Sequence, residues 1–301
     1  MVMFLLVLLG FMTSSWVLMV FLMELLVFLF VFMSFTFYAS SHMQACTKYF
    51  IVQTVSGIML LLVALHNNAL ALMSGLLWQV VVLMSLALKL GLFPMHFWVV
   101  PVNSDLSYMS IALMGSPMKI LPLILISHYS LTLSNSFMKE LLMVMGVASM
   151  VVGFLYGISA TSIRTLLGAS SISHGGWFLF AVSCTMIWPY FILYSISFLL
   201  LCCSLASSMH WVTSINLLGL SGLPPFSLFV AKLSIVSCYM ELYIPLTFLV
   251  LALCISVFSL IYYLKFSFFF YMLPMPVTTF FYILLILVFV LHFMSYMFLL
   301  L

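Results

Sequence analysis

The sequence predicts an all-α polytopic membrane protein of about eleven transmembrane helices. Of its 301 residues, 67% are hydrophobic and only 4% are charged, whereas soluble domains carry about 25% charged residues. The apolar runs are also long and do not alternate with polar residues. A helix needs about 20 apolar residues to cross a bilayer, whereas the strands of membrane barrels are short and alternating. We therefore expect residues 1–301 to form one helical transmembrane domain.

The first five predicted spans are set apart by short polar connections. The break between the first two is the weakest, because only Thr-Ser-Ser at 13–15 separates them, so the number of spans is ten or eleven. The second, third and fourth spans are followed by the polar connections "ASSHMQACTK", "HNN" and "NSDLS". The predicted bounds are 2–14, 16–38, 46–65, 69–98 and 107–127.

The remaining spans follow the polar connection "LSNSFMKE", and "MLPMPVTT" precedes the last of them. Their predicted bounds are 139–158, 163–184, 187–209, 213–240, 242–265 and 279–300. With eleven spans, Lys48, Arg164 and Lys265 fall on the side of the N-terminus, and Lys139 falls on the other. The positive-inside rule then predicts that the N-terminus lies on the matrix or cytoplasmic side and the C-terminus on the opposite side.

Two spans combine a lysine with glycine and proline, the fourth around Lys89 and the ninth around Lys232. Proline removes a backbone donor and clashes with the preceding turn, so both helices are predicted to break. These spans are five apart and run in opposite directions, which fits inverted repeats over 1–127 and 139–265 followed by a C-terminal helix, 279–300. The predicted helix-break residues are Gly91, Pro94, Pro224 and Pro225.

Four ionisable residues lie well inside apolar spans: Glu24, Lys89, Lys119 and Lys232. Each costs roughly 2.5–3.5 kcal/mol at a helix centre, and such residues usually face a bundle interior or an aqueous path. A protonated Glu24 and a snorkelling Lys119 are the alternatives for single members. Burial disfavours the charged form of an amine and a nearby carboxylate favours it, so a row of such groups can pass protons.

The seven histidines are scattered singly, without the clustering of haem, copper or zinc sites. His174 lies inside the seventh span, where a proton relay and a structural histidine are both compatible with the sequence. There is one aspartate, no nucleotide-binding glycine motif and no basic patch. We therefore expect no catalytic residue, cofactor site or metal site in this chain, and no nucleic-acid partner.

Four motifs, in matching order, resemble subunit 2 of mitochondrial NADH:ubiquinone oxidoreductase (respiratory complex I), an antiporter-like membrane subunit family. "KLGLFPMHFWVVPV" (89–102) is similar to the family's "KLG-x-x-PFHFWVPEV", and "SGLPPFSLFVAK" (221–232) to its "GGLPPLTGFLPK". "KYFIVQ" (48–53) and "RTLLGASSISHGGW" (164–177) resemble "KYFLTQ" and "R-x-x-LAYSSI-x-HMGW". One departure is Gln44, which stands where the family has a glutamate before "KYF".

The resemblance implies a function in proton translocation, coupled to NADH oxidation and ubiquinone reduction in other subunits. It places Glu24, Lys89, Lys119 and Lys232 on the family's polar axis, and His174 would relay protons between the last two. NADH, FMN, iron–sulfur clusters and ubiquinone are expected in partner subunits. The implied location is the mitochondrial inner membrane, with other membrane-arm subunits and lipids as partners and no homo-oligomer.

Two alternatives belong to different functional classes. A stand-alone cation/proton antiporter predicts cation-dependent flux by the isolated chain, although a cation site favours more carboxylates than the single buried Glu24. A purely structural membrane subunit predicts that neutralising the buried charges changes assembly but not pumping.

Overall fold

The computed structural model describes residues 2–13, 15–37, 42–70, 76–132, 136–241, 245–274 and 285–292. These ranges contain helices and short connections and no β-strand, which confirms the predicted all-α class. Residues 285–292 are also helical. The other helices are α1 Val2–Met12, α2 Trp16–Phe37, α3 Met43–Leu70, α4 Leu76–Leu90, α5 Val99–Asp105, α6 Tyr108–Gly115, α7 Pro117–Thr132, α8 Ser136–Ser159, α9 Ile163–Ser183, α10 Ile187–Ala206, α11 His210–Ser221, α12 Ser227–Glu241 and α13 Leu246–Tyr271.

Six helical stretches within the described ranges are long and apolar enough to cross a membrane. Large hydrophobic side chains are exposed along the outer surfaces of these helices, as expected for a bundle surrounded by lipid. The count of eleven spans and the inverted repeat stay predictions. The six stretches are Trp16–Phe35, Met43–Leu65, Tyr108–Leu131, Phe137–Ser159, Ile187–Ala206 and Leu246–Tyr271.

Helix ends differ from the predicted bounds where polar residues were taken as connections. The run 66–68, predicted to separate two spans, is helical and belongs to α3, which ends at Leu70. Similarly, α13 continues to Tyr271, beyond the predicted end of the tenth span at Lys265. A helix satisfies its backbone hydrogen bonds internally, so it can extend past the edge of its apolar stretch.

Helix α9 lies at the centre of the bundle, packed against α5 and α8. Every residue from Leu166 to Val182 is buried except Ser173. Small residues allow close approach to α8, because a Cβ at Gly176 would lie 2.5 Å from the carbonyl oxygen of Gly146. Since α9 is covered by protein, it tolerates serines and a histidine at a depth where lipid-facing helices are apolar.

Candidate functional site

Helix α4 ends in the middle of the predicted fourth span. Gly91 adopts a left-handed conformation, with φ of 71°, and the Leu92 N–H donates to the Ala87 carbonyl over 2.9 Å. Glycine is favoured at this position because it has no Cβ to clash in the left-handed region. The chain then runs without helix, through a cis peptide bond before Pro94, until α5 begins.

Side chains satisfy the carbonyl groups that the end of α4 leaves without helical partners. The Trp98 indole N–H donates to the Leu88 carbonyl over 3.0 Å. The amide of Gln53, on α3, donates to the Lys89 carbonyl over 3.3 Å. Gln53 is buried, so its bond replaces water that cannot reach this depth. These two contacts fix the last turn of α4, which carries Lys89.

Lys89 pairs with Glu24 of α2. Its ammonium Nζ lies 2.7 Å from Oε1 of the carboxylate, a distance typical of a charge-assisted hydrogen bond. Gly57 of α3 makes room for this carboxylate, because a Cβ there would overlap Oε1. Three helices therefore build the pair, which balances two charges that would each be costly alone in the membrane.

Lys119, on α7, has a different environment. Its ammonium is buried and has no hydrogen-bond partner among the described residues. It lies 5.7 Å from the ring centre of Phe178 and 5.6 Å from that of Tyr194. Aromatic faces attract a cation by about 0.5–2 kcal/mol, so these rings stabilise the charged form without fixing its proton in a hydrogen bond.

A small cavity of about 20 Å³ is lined by both Lys89 and Lys119. Ser171 and Asn103 also line it, and the Asn103 side-chain oxygen has no hydrogen-bond partner among the residues that the structure describes. A cavity of roughly 10–15 Å³ with two to four polar partners can hold a water molecule. This space is therefore suited to a single water beside Lys89 and Lys119.

His174 of α9 is enclosed by tyrosines. Its Nδ1 lies 2.8 Å from the Tyr190 hydroxyl, and its Nε2 lies 3.4 Å from the Tyr263 hydroxyl. Its ring centre is 4.9 Å from that of Tyr194, the residue that also faces Lys119. Both ring nitrogens thus face hydroxyl groups, each of which can donate or accept a proton.

Lys232 lies at a second helix interruption, between α11 and α12. Gly222 is left-handed, with φ of 77°, and the peptide bond before Pro225 is cis. The Lys232 ammonium reaches back across the interruption and donates to the Ser221 carbonyl over 2.9 Å. It also lies 5.5 Å from the ring centre of Trp177 on α9. A surface crevice of about 370 Å³ between α12 and α13 is lined by Lys232.

The predicted ionisable residues thus follow one another through the bundle interior, linked by side-chain contacts and by one shared cavity. Lys89 and Lys119 line the same cavity. Aromatic and histidine side chains lie between Lys119 and Lys232, the lysine at the second interruption. In order, the ion pair, the shared cavity and the ring and hydrogen-bond contacts link Glu24, Lys89, Lys119, Tyr194, His174, Tyr190, Trp177 and Lys232.

A family model described as NADH:quinone oxidoreductase/Mrp antiporter, transmembrane, matches residues 13–210. NADH-ubiquinone oxidoreductase chain 2 of Albinaria caerulea is 37% identical over 232 residues, which cover 76% of this chain and 74% of the relative. The chain belongs to this family. The chain 2 protein of Anopheles gambiae is 32% identical and is covered to 72% of its length.

Two solved structures share the family's fold. One is respiratory complex I from Thermus thermophilus with bound aureothin, which matches 94% of this chain and 73% of its own chain, with a TM-score of 0.79 and 21% identity. The other is the Mrp complex from a Dietzia species, which matches 82% of this chain and 56% of its own, with a TM-score of 0.67 and 18% identity. At this identity the likeness concerns the fold.

Several residues of the site were not singled out from the sequence. Gln53 stands in a quoted motif, but its role in holding the end of α4 was not predicted. Tyr190 and Tyr194 are fully buried tyrosines in an apolar span. A buried tyrosine hydroxyl usually has a polar partner. The tyrosines that follow His174 in the sequence were therefore the signal that could have identified its hydrogen-bond partners. Among the described residues no group of His, Cys, Asp and Glu is placed to hold a metal ion.

Proposed function

We propose that this chain is the antiporter-like membrane-arm subunit that couples the redox reaction of complex I to proton translocation. Membership in the chain 2 family supports this assignment. The observation that carries the mechanism is the ion pair of the buried Lys89 with the partly exposed Glu24, which is linked through Lys119 and His174 to Lys232. NADH oxidation and ubiquinone reduction occur in other subunits, which hold the NADH, FMN and iron–sulfur sites.

The first step is a change in the ion pair. At 2.7 Å the Glu24 carboxylate favours the protonated amine of Lys89. When a conformational change moves Glu24 away, or a proton neutralises it, the buried ammonium loses its counter-charge. Lys89 then releases its proton into the cavity that it shares with Lys119, because an unpaired charge is costly at this depth.

The second step carries charge from Lys119 toward Lys232. A water in the shared cavity passes the proton to Lys119, whose charge is stabilised by the faces of Phe178 and Tyr194. His174 faces tyrosine hydroxyls with both ring nitrogens, so it can accept a proton on one and release one from the other. Lys232 receives charge where Ser221 and Trp177 stabilise it.

We also propose a cellular location, neighbours and a membrane topology for the chain. The chain lies in the mitochondrial inner membrane with its N-terminus on the matrix side and its C-terminus on the intermembrane-space side. Its neighbours are other membrane-arm subunits and lipids rather than a second copy of itself. It has eleven spans, and its inverted repeats over 1–127 and 139–265 carry the two interruptions that contain Lys89 and Lys232.

The test is proton pumping by the assembled complex carrying Lys89→Met or Lys232→Met. The control is Lys265→Met, because Lys265 is exposed on α13 away from the chain of contacts. We expect both buried-lysine variants to pump protons at a reduced rate while the control pumps normally. Normal pumping by either buried-lysine variant contradicts the proposal. Reduced assembly with unchanged pumping per complex indicates a structural subunit, and cation-dependent flux by the isolated chain indicates a stand-alone antiporter.

A further inference from the structure

The helical segment 285–292 touches the second interruption through its last residue, His292. The Nδ1 atom of His292 lies 3.2 Å from the backbone nitrogen of Ser227 and 3.1 Å from the Ser227 hydroxyl. Ser227 is the first residue of α12. The imidazole therefore caps the first N–H group of α12, although His292 lies 65 residues further along the chain.

This contact satisfies a backbone group that the helix cannot satisfy itself. The first four N–H groups of a helix have no partner within it, and water is scarce at membrane depth. A backbone N–H can only donate, so Nδ1 must accept, and the ring proton of His292 is assigned to Nε2. His292 is thus a fixed acceptor, unlike His174, whose nitrogens face hydroxyl groups.

The ring of His292 fits between the two halves of the interrupted helix. On the α11 side, a Cβ at Gly219 would lie 2.8 Å from ring atom Cε1, so the glycine leaves the space that the imidazole occupies. On the α12 side, Phe226 meets the ring edge-on at 4.8 Å between ring centres. Val288 anchors the same segment by packing with Met209 and Val212.

We propose that His292 is a positioning residue for Lys232, so that segment 285–292 holds the second interruption in its proton-transferring geometry. Lys232 is on α12, and its hydrogen-bond acceptor is the carbonyl of Ser221, the last residue of α11. The position of the amine therefore depends on how the start of α12 is held against the end of α11. His292 contacts both halves at that point. This inference rests on the function proposed for Lys232.

The experiment compares His292→Leu with His292→Asn in the whole complex. Asparagine keeps an acceptor at the Nδ1 position, whereas leucine keeps bulk and removes the acceptor. The readouts are protons pumped per electron and the position of the Lys232 side chain in a cryo-EM map. We expect the leucine variant to lower pumping per electron and to separate Lys232 from Ser221, because the start of α12 loses its cap. The asparagine variant should restore both.

Val288→Ala is the matched control, because it weakens packing of the same segment without touching the cap. In a Lys232→Met background we expect His292→Leu to cause no additional loss of pumping per electron, since both substitutions act through the Lys232 amine. An intact Lys232–Ser221 contact in the leucine variant, or an equal loss in the asparagine variant, would overturn the positioning role. Normal pumping by Lys232→Met alone would instead overturn the proposed function, and the cryo-EM position of Lys232 would still decide the role of His292.

Discussion

The ammonium of Lys89 lies 2.7 Å from the carboxylate of Glu24, although the two residues are 65 positions apart in the chain. Their exposures differ: the Lys89 side chain is 1% exposed and that of Glu24 is 26% exposed. Lys89 is therefore sealed inside the bundle, whereas Glu24 is the member of the pair that neighbouring groups can reach. Glu24 is therefore the member of the pair whose substitution tests the first step of the proposed function.

Glu24→Gln should lower NADH-driven proton pumping by about tenfold or more, because removal of one partner leaves a buried charge without compensation. The amount of assembled complex should also fall. In the double variant Glu24→Gln, Lys89→Met no charge is left unpaired, so assembly should recover while pumping stays low. Pumping and complex content are measured on the same membranes. Recovery of pumping together with assembly in the double variant would mean that the pair is only structural.

Gly57→Ala should displace the Glu24 carboxylate, since the added Cβ overlaps Oε1. We expect lower pumping per assembled complex, as in Glu24→Gln but weaker, because the carboxylate can rotate away and still carry charge. Val55→Ala is the control, as Val55 is an exposed residue on the same helix. Equal pumping by the Gly57 and Val55 variants would contradict the close packing of Gly57 against the ion pair.

Trp98→Phe should lower the thermal stability of the assembled complex without removing a charge. The indole N–H satisfies the Leu88 carbonyl at the end of α4, and a buried carbonyl left without a donor costs about 1–3 kcal/mol. Trp211→Phe is the control, because Trp211 is exposed on α11. The melting temperature of the detergent-solubilised complex is the measurement, and identical values for the two variants would argue against the capping role.

Tyr190→Phe should slow proton pumping several-fold while leaving assembly intact, because it removes the hydroxyl 2.8 Å from His174 Nδ1 and keeps the ring. The buried Nδ1 left without this partner costs about 1–3 kcal/mol, so complex content is measured on the same membranes to check that assembly is intact. Tyr239→Phe is the matched control, since that buried tyrosine is bonded to Ser183 instead of a relay histidine. Equal effects of the two substitutions on pumping would show that His174 does not take part in proton transfer.

The helical class and the regions of both helix interruptions could be predicted from the sequence because the signals are local. Length and apolar composition predict spanning helices, and glycine and proline beside Lys89 and Lys232 predict irregular backbone. The end of α13 was misplaced because the predicted span was ended at Lys265, the charged residue within its apolar run. In the structure the helix continues to Tyr271, so a single lysine does not end this helix.

The contacts that make the site could not be predicted, since they depend on which faces of the helices meet. An amphipathic helix shows its buried face by periodicity, but these helices are apolar on all sides. The pairing of Lys89 with Glu24, the rings around Lys119 and the cap that His292 provides for Ser227 all join distant parts of the chain. Single lysines in apolar spans indicated that partners were needed, without identifying them.

The most direct test of proton transfer along these residues is the number of protons pumped per electron by complex I carrying Lys119→Met, reconstituted in proteoliposomes. Lys119 has no hydrogen-bond partner in the described part of the chain, so its replacement leaves no polar group unpaired and should leave the fold unchanged. Lys139→Met, at an exposed position, is the control. We expect a clearly lower ratio for Lys119→Met and a normal ratio for the control. A normal ratio in both would show that protons do not pass through Lys119.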